Sequence, residues 1–535
     1  MDDLLIRGPQ IIDGSGAPGF SGDVAIQDGR ISAVTTEPGR QAKRVIDGSG
    51  LVVAPGFIDI HTHSDFTLPL NPKAEGKIRQ GVTTEVVGNC GFSVAPALPG
   101  KAELLRDYLA ASAPWLDFRE TSFADYMDAF PATSVNTIMQ AGHHTLRLMA
   151  MGTDDRAPND IELQHMQAML EEALHAGAIG LSSGLFTTPG GYASSEEMVA
   201  LGHVLRRHGG AYSSHVRDEA NRVFDAVREA IAVGETCGIH VQIAHLKLSG
   251  TDNWGGASEL LGEIEAARER GVQIDCDQYP YTAATNPLRN LLPTWVQAGG
   301  MAAMLARLAE PETRQRLRDD IEAQGLNNFG RIASWDDVRI AISPHQPEYA
   351  GQTMGAIARE RNCDPLDAVC DYLLEDQGHT RILITSMSED DVQAILRSPT
   401  ILVGSDGTSL APYGVTGQGK PHPRFYGTFA RILGHYVRDV GLLSLEQAVY
   451  KMTGGSAKAL GLVQRGLIRE GYWADLTLFD PQTIDAMSTY EELHQYAKGI
   501  QTVIVNGELV IDDSEHTGDL PGCVLRRGTK GVDAV

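Results

Sequence analysis

The chain lacks a surplus of positive charge, closely spaced cysteines and any long apolar run. Its 44 Lys and Arg residues face 69 Asp and Glu residues, which gives a formal net charge of −25. Nucleic acids and anionic membrane surfaces both attract basic segments, so we expect neither as a partner. No stretch approaches the roughly 18 apolar residues of a membrane-spanning helix. These absences, with 42% hydrophobic residues, indicate an ordinary globular protein.

Cysteine is sparse, and no two cysteines are spaced as CxxC. The start of the chain, MDDLLIRGPQ, has neither a basic segment nor the apolar run of a secretory signal. Both features predict a reduced, cytoplasmic setting. The six cysteines are Cys90, Cys237, Cys276, Cys363, Cys370 and Cys523.

The two ends of the chain have the pattern of short β-strands. Near the start, DVAIQDGRISAV has an Asp28-Gly29 turn between two alternating runs, which predicts a hairpin. Near the end, ADLTLFD and TVIVNGELVID predict further strands. Because chain termini often lie close together, we expect both ends to form one small β-sandwich domain, from residues 1–56 and 463–535.

Residues 57–462 alternate strand-like runs with helix-length segments. IELQHMQAMLEEALHAG, for example, has apolar residues at helical spacing and ends in a glycine. Eight such units predict an α/β fold of the (β/α)8 TIM-barrel type. Residues from about 286 to 345 break the alternation, so we expect an insertion after the seventh strand. The eight strand-like runs are FIDIHTH, TTEVVGNCG, NTIMQAGH, AIGLSSGL, AYSSHVR, VQIAHLK, VQIDCDQYPY and ILVGSDG.

Polar side chains follow these strands at their carboxyl ends, where barrel active sites lie. In FIDIHTHSD, His61 and His63 are two residues apart and share one face of a strand. Two imidazoles at the end of an apolar run are costly unless a metal ion or carboxylates satisfy them. Four other predicted strands end in further candidate ligands, which are Cys90, His215, His245 and Asp406.

Imidazole, thiolate and carboxylate together form a ligand set suited to zinc. The histidine pair with Asp406 can hold one ion, and Cys90, His215 and His245 can hold another, with Cys90 near enough to bridge. Three ligands and an open position are the catalytic pattern, because the open position takes water. Taken singly, each residue also fits a blander role, such as an inert thiol, a core histidine or a helix cap. Their combination favours a metal site.

Longer motifs occur in an order typical of one family. They are APGFIDIHTHSD, GVTTEVVGNCGFS, GLSSGLF, SSHVRDE, IAHLK, DQYPYTA, GSDG, HPRFYGTFARILGHYVR and LGLVQRGLIREGYWADLTLFD. Over almost its whole length the chain resembles the amidohydrolase superfamily and, within it, the N-acyl-D-amino-acid deacylases, or D-aminoacylases. Hydantoinases and dihydroorotases typically have a carboxylated lysine at the end of strand four. Here that strand ends in Leu181-Ser182-Ser183-Gly184, and Cys90 on strand two replaces the lysine, as in the D-aminoacylases.

The resemblance implies a role for each candidate ligand. Cys90, His215 and His245 would hold one tightly bound zinc ion (Zn2+), and the histidine pair would form a second, weaker site. Asp406 would be the general acid and base. One departure is the loop DGTSLAPYGVTGQGKPHPR, which is longer than in the shorter family members, so the rim of the pocket is expected to differ.

The resemblance also implies how the substrate is bound. Lys247, Tyr281 and Arg424 match the positions at which the family binds the α-carboxylate, and Thr285 is the nearest match to a family hydroxyl that helps to hold substrate. A guanidinium offers a planar fork for a carboxylate, although Arg424 fits a structural salt bridge equally well. We favour a neutral, apolar substrate side chain. Arg289 is a candidate for binding an acidic one, but we expect it on the surface of the insertion.

The expected function is zinc-dependent hydrolysis of N-acyl-D-amino acids, a small-molecule class, to a carboxylate and a free D-amino acid. The choice of the D-enantiomer rests on the resemblance alone. One alternative is another cyclic-amide or dipeptide hydrolase of the superfamily, which the absent strand-four lysine disfavours. The second alternative is a non-catalytic scaffold, which the complete set of candidate ligands disfavours. The oligomeric state stays open.

Overall fold

The computed structural model describes residues 1–37, 39–528 and 530–534. Its strands, in chain order, are β1 (Asp2–Arg7), β2 (Gln10–Ile11), β3 (Phe20–Ser21), β4 (Asp23–Gln27), β5 (Arg30–Thr35), β6 (Ala42–Asp47), β7 (Val52–Pro55), β8 (Phe57–Asp59), β9 (Val82–Val87), β10 (Asn136–Met139), β11 (Ala141–Gly142), β12 (Gly180–Gly184), β13 (Ala211–His215), β14 (Val241–Ile243), β15 (Ile274–Gln278), β16 (Ala283–Pro287), β17 (Val338–Ile342), β18 (Arg381–Thr385), β19 (Ile401–Val403), β20 (Leu476–Phe479), β21 (Ile500–Val505), β22 (Glu508–Asp512), β23 (Glu515–His516), β24 (Val524–Gly528) and β25 (Gly531–Ala534).

The α-helices lie mostly between these strands, and a π-helix, Ile432–Asp439, continues α15 directly. They are α1 (Glu75–Ile78), α2 (Ala102–Leu109), α3 (Phe123–Asp128), α4 (His143–Met151), α5 (Asp160–Ala176), α6 (Ser195–His208), α7 (Val223–Cys237), α8 (Ala257–Glu269), α9 (Thr294–Gln297), α10 (Met301–Leu308), α11 (Pro311–Gln324), α12 (Met354–Arg361), α13 (Pro365–Glu375), α14 (Glu389–Arg397), α15 (Arg424–Arg431), α16 (Leu445–Met452) and α17 (Gly454–Leu460).

The parallel strands are neighbours in chain order, which is the pattern of an α/β fold. Hydrogen bonds join β8, β9 and β10, and join β11, β12, β13, β14, β15 and β19. Strands β10 and β11 are two parts of one strand interrupted at Gln140. Each of the eight predicted strand-like runs overlaps at least one of these strands. The first and last are also linked, because the Asp406 amide donates to the His61 carbonyl at 2.9 Å and the His63 amide donates to the Gly407 carbonyl at 2.8 Å.

The helices between parallel strands bury one apolar face. Helix α5 buries Met166, Leu170 and Leu174 in a core that includes Leu181 of β12 and Val241 of β14. This packing follows from the helical spacing of the apolar residues. The helix ends at Gly177, whose left-handed backbone, with φ of 108°, is the common glycine termination.

Strands from both ends of the chain share one sheet. The N-terminal β7 lies between β2 and the C-terminal β20, with Val52 opposite Phe479. A second sheet contains β5, β4, β1 and β6. Side chains of both sheets, such as Ile6 of β1 and Leu478 of β20, lie in one buried cluster.

The last strands do not follow the prediction for residues 463–535. Strand β24 pairs in parallel with β10, with Leu525 opposite Ile138, and β25 pairs with β24. The C-terminal tail therefore joins the parallel strands rather than the small β sheets. Strand β24 thus occupies the edge of β10 that no other parallel strand takes, because β12 pairs with β11 rather than with β10.

The segment between β15 and β19 contains its own antiparallel sheet, in the order β16, β18, β17. The predicted insertion of about 286–345 ends too early, because its central strand, β18, lies at Arg381–Thr385. Arg289 is not on the surface as predicted. It is buried, and its guanidinium donates to the carbonyls of Gly378 and Tyr108, both at 3.1 Å.

Candidate metal centre and active site

All six residues predicted as metal ligands or catalytic base lie together at the carboxyl ends of the parallel strands. They form two groups that share Cys90, and within each group the possible ligand atoms lie within 4.8 Å of one another. One group is Cys90, His215 and His245, and the other is His61, His63, Cys90 and Asp406. The Cys90 thiol thus belongs to both groups.

Close contacts link the two groups. The Cys90 Sγ lies 3.2 Å from the His61 Nε2 and 3.4 Å from the His245 Nε2. The His63 Nε2 lies 3.1 Å from the Asp406 Oδ1. Five strand ends thus direct side chains towards one point.

Three of these residues have left-handed backbone conformations. The φ angles are 54° at Cys90, 36° at His245 and 46° at Asp406. Non-glycine residues rarely adopt such conformations, which cost roughly 1–3 kcal/mol each and tend to occur at functional sites. The fold therefore tolerates strain that directs these three side chains into the cluster.

The charges of the cluster suit a divalent cation. Burial raises the pKa of the Cys90 thiol, but His61 and His245 hold that pKa well below its usual range. Burial likewise raises the pKa of Asp406, but Arg424 and His245 hold it well below its usual range. A thiolate and a carboxylate among imidazoles are the donors that zinc prefers.

Two carboxylates that were not predicted from the sequence contact the candidate ligand histidines. Asp277 lies 3.2 Å from the His61 Nδ1 and accepts a hydrogen bond from the His245 amide at 3.0 Å. Glu219 lies 2.9 Å from the His245 Nδ1. Such partners orient metal-binding imidazoles and fix their tautomers. Both residues lie within the motifs DQYPYTA and SSHVRDE, which were the only signal for them.

The predicted substrate-binding residues differ in whether their hydrogen-bond donors already have partners. The Arg424 Nη2 pairs with the Asp406 Oδ2 at 2.8 Å, while its Nε and Nη1, though buried, have no hydrogen-bond partner among the described residues. The buried Tyr281 hydroxyl also has none. Lys247 is already engaged by Glu219 and by the His245 Nδ1, at 2.7 Å from the latter.

A cavity opens over the cluster and gives a ligand access to it. Cys90, His215, His245, Asp406 and Arg424 line its inner part. Its walls combine aromatic side chains with a few polar groups, which is common in small-molecule sites. They include Phe66, Phe92, Trp115, Phe186, Thr285, Asn286, Arg381 and Phe425.

Comparisons with known proteins identify the family. The sequence profile of the amidohydrolase family matches residues 44–511. A D-aminoacylase of Alcaligenes xylosoxydans xylosoxydans is 38% identical over 527 residues, covering 98% of this chain and 98% of the relative. An N-acyl-D-aspartate deacylase of the same organism is 36% identical over 534 residues, covering 98% of this chain and 95% of the relative.

Comparison with solved structures points to the same family. The N-acyl-D-glutamate deacylase of Bordetella bronchiseptica, complexed with zinc and a phosphonate mimic of the tetrahedral intermediate, matches with a TM-score of 0.83 at 35% identity, covering 98% of this chain and 99% of that one. A D-aminoacylase with a binuclear metal centre, described by one-metal activation and second-metal attenuation, matches with a TM-score of 0.82 at 36% identity, covering 98% and 100%.

The chain therefore belongs to the amidohydrolase family and, within it, to the group of the D-aminoacylases and N-acyl-D-amino-acid deacylases. The resemblance expected from the motifs is confirmed, and the chain has the mixed α/β fold of this group. No helix in the described part of the chain is both long and apolar enough to cross a membrane.

Proposed function

We propose that this protein hydrolyses the amide bond of N-acyl-D-amino acids with the help of zinc, releasing a carboxylate and a free D-amino acid. The observation that carries the proposal is the pair of ligand groups sharing Cys90, with Asp406 beside them. The deacylase relatives support the same substrate class.

The ligands divide into a tighter and a weaker metal site. Cys90, His215 and His245 would hold one zinc ion tightly, and His61 with His63 would form the second, weaker site. The solved relative in which one metal activates and a second attenuates supports this division. Bound zinc lowers the pKa of water and stabilises negative charge developing on an acyl oxygen.

Asp406 would transfer the proton. Its pKa lies well below the usual range, because Arg424 and His245 outweigh burial, so the carboxylate is ionised at neutral pH. An ionised carboxylate can accept a proton from the attacking water and then donate it to the departing nitrogen. One residue thus serves both halves of the reaction.

Donors that lack a partner would hold the substrate. The Nε and Nη1 of Arg424 and the hydroxyl of Tyr281 lack partners among the described residues, so they are available to an α-carboxylate. Lys247 would contribute positive charge, although Glu219 already binds it, and Thr285 lines the cavity. These contacts would orient the amide over the metal.

The proposal extends to the layout of the chain. The eight parallel strands would close into a (β/α)8 barrel, since hydrogen bonds link the first and last of them. The sheets formed by both termini would be a small β-sandwich domain, from residues 1–56 and from about 463 up to β23, while β24 and β25 stay with the parallel strands. A cytoplasmic setting is consistent with six free cysteines. We propose no nucleic acid or membrane partner for a chain of net charge −25.

The test is hydrolysis of paired N-acetyl-D and N-acetyl-L amino acids by the zinc-loaded wild type and by Asp406→Asn. We expect turnover of the D-enantiomers only. General acid and base catalysis contributes about 10²–10⁴-fold, so Asp406→Asn should lower kcat by a factor in that range. Zinc content, measured by atomic absorption, should stay at one ion or more per chain. Asp128→Asn is the matched control, because that side chain is 69% exposed, and it should leave kcat unchanged.

The alternatives predict other outcomes. Turnover of cyclic amides or dipeptides in place of N-acetyl-D-amino acids would reassign the substrate within the superfamily. Zinc binding without any amide hydrolysis would support a scaffold. Equal turnover of both enantiomers would contradict the proposal, as would an active Asp406→Asn variant.

A further inference from the structure

One arginine in the active-site cavity has no role in the chemistry described above. Arg381 begins β18, the central strand of the inserted sheet, where it pairs with Pro287 of β16 and Ile342 of β17. Its side chain lines the same cavity as Asp406 and Arg424. The inserted sheet, rather than the parallel strands, thus supplies this cation.

Arg381 has no carboxylate partner among the described residues. Its Nη1 donates one hydrogen bond, to the Ser112 Oγ at 2.8 Å. Two buried arginines do have carboxylate partners, since Arg147 pairs with Glu197 and Arg465 pairs with Asp475. A guanidinium has five N–H donors, so most of those of Arg381 remain available to a ligand.

The surroundings of Arg381 disfavour the charged form of its guanidinium. Burial, together with the nearby positive charge of Arg424, lowers the pKa of Arg381 to about 10, although the carboxylate of Asp406 acts against this. Removing a charge from water without a counter-charge is unfavourable. An anion that entered the cavity would relieve this cost, which is a physical reason to expect one there.

The cavity offers two separate cationic positions. Arg424 contacts Asp406 and keeps two free donors, which suits a group held directly beside the reacting amide. Arg381 instead contacts Ser112, in the loop after α2, and has no hydrogen bond to any of the candidate metal ligands. Because Asp406 anchors one arginine and Ser112 the other, a ligand with two anionic groups could pair with each of them separately. An N-acyl amino acid has one α-carboxylate, so the second group is on its side chain.

We infer that Arg381 binds the side-chain carboxylate of an acidic N-acyl-D-amino acid and so sets the side-chain specificity. The inference rests on the proposed function and departs from the neutral side chain favoured by the sequence. The acyl group would lie against aromatic walls such as Phe92 and Phe186. Arg381 is a specificity residue here and takes no part in proton transfer.

The test uses substrates that differ only in one charge. N-acetyl-D-glutamate is compared with N-acetyl-D-glutamine, and N-acetyl-D-aspartate with N-acetyl-D-asparagine, for the wild type, Arg381→Met and Arg381→Lys. A hydrogen-bonded charge pair contributes about 1.5–3 kcal/mol, which converts to roughly 10–150-fold. We expect the wild type to favour at least one acidic substrate by such a factor in kcat/KM. Arg381→Met should lose that preference, with neutral substrates changed less than about threefold.

Controls separate specificity from folding. Arg381→Lys keeps the charge but loses the planar fork, so it should retain part of the preference. Arg359→Met, in the same insertion and 67% exposed, should behave as wild type. Binding of N-acetyl-D-glutamate and N-acetyl-D-glutamine to Asp406→Asn, measured by calorimetry with and without Arg381→Met, gives a readout that needs no turnover.

Three results would overturn the inference, and they are distinguishable. Equal loss for acidic and neutral substrates in Arg381→Met would assign Arg381 to the α-carboxylate. A wild type that prefers the neutral member of both pairs would exclude an acidic side chain. No turnover of any N-acyl-D-amino acid by the zinc-loaded wild type would overturn the proposed function itself.

Discussion

Glu85 lies on β9 with its carboxyl group out of contact with solvent. Burial raises its pKa to about 7, although Lys77 acts against this. The hydroxyl of Ser64 donates to its Oε2, while its Oε1 has no partner among the described residues. Ionising this carboxyl therefore destabilises the folded state.

The sign of the pH effect follows from linkage. A carboxyl group whose folded pKa is raised contributes stability that is fully present below its unfolded pKa, near 4.5. That contribution is lost as pH rises through the folded pKa of about 7. Glu85→Gln keeps the shape and cannot ionise. We expect its stability relative to wild type to rise between pH 5 and pH 8 by up to about 3 kcal/mol.

Urea denaturation at pH 5 and pH 8 measures this difference. Glu515→Gln is the matched control, because that side chain is 86% exposed, and its effect on the midpoint should be the same at both pH values. A gain from Glu85→Gln that is equal at pH 5 and pH 8 would show that the carboxyl group does not titrate in this range.

At the scale of elements, helix α5 begins with a reciprocal cap. The Asn159 Oδ1 accepts hydrogen bonds from the amides of Ile161 and Glu162, both at 3.0 Å, and the Glu162 Oε2 accepts one from the Asn159 amide at 2.8 Å. Asn159→Ala leaves two amides unsatisfied and should destabilise the helix start by about 1 kcal/mol. Hydrogen exchange of the first turn of α5 should accelerate about fivefold, whereas Asn159→Asp, which keeps the acceptor, should leave it nearly unchanged.

The elements that could be predicted from the sequence are those encoded by a local pattern of apolar and polar residues. The eight parallel strands and the six clustered residues of the candidate site follow from alternation and from the rule that side chains at strand ends meet. The inserted sheet was missed beyond residue 345, because its central strand, Arg381–Thr385, pairs with residues about 40 and 95 positions away. Glu219, Asp277 and Arg381 acquire their roles only through contacts between distant segments, which single-strand periodicity does not record.

At the scale of the whole molecule, the C-terminal tail completes the core around the parallel strands. Leu525 of β24 is fully buried beside Ile138 of β10, Leu402 of β19 and Ile60, which directly follows β8. Strand β24 also pairs with β10. The last strands of the chain thus stabilise the same core that the first parallel strand enters.

Leu525→Ala tests this dependence. Removing a buried leucine side chain costs about 2–5 kcal/mol, so the urea midpoint should fall clearly below that of wild type. Lys530→Ala, an exposed change between β24 and β25, is the control and should leave the midpoint unchanged. Leu525 lies opposite Ile138 of β10, before Gln140, whereas the residues of the candidate site follow the carboxyl ends of the strands. The substitution is therefore outside the candidate site, and KM of the folded fraction should stay as in wild type. An unchanged midpoint would mean that the tail packs on the core without supporting it, whereas a changed KM would mean that the tail also positions the site.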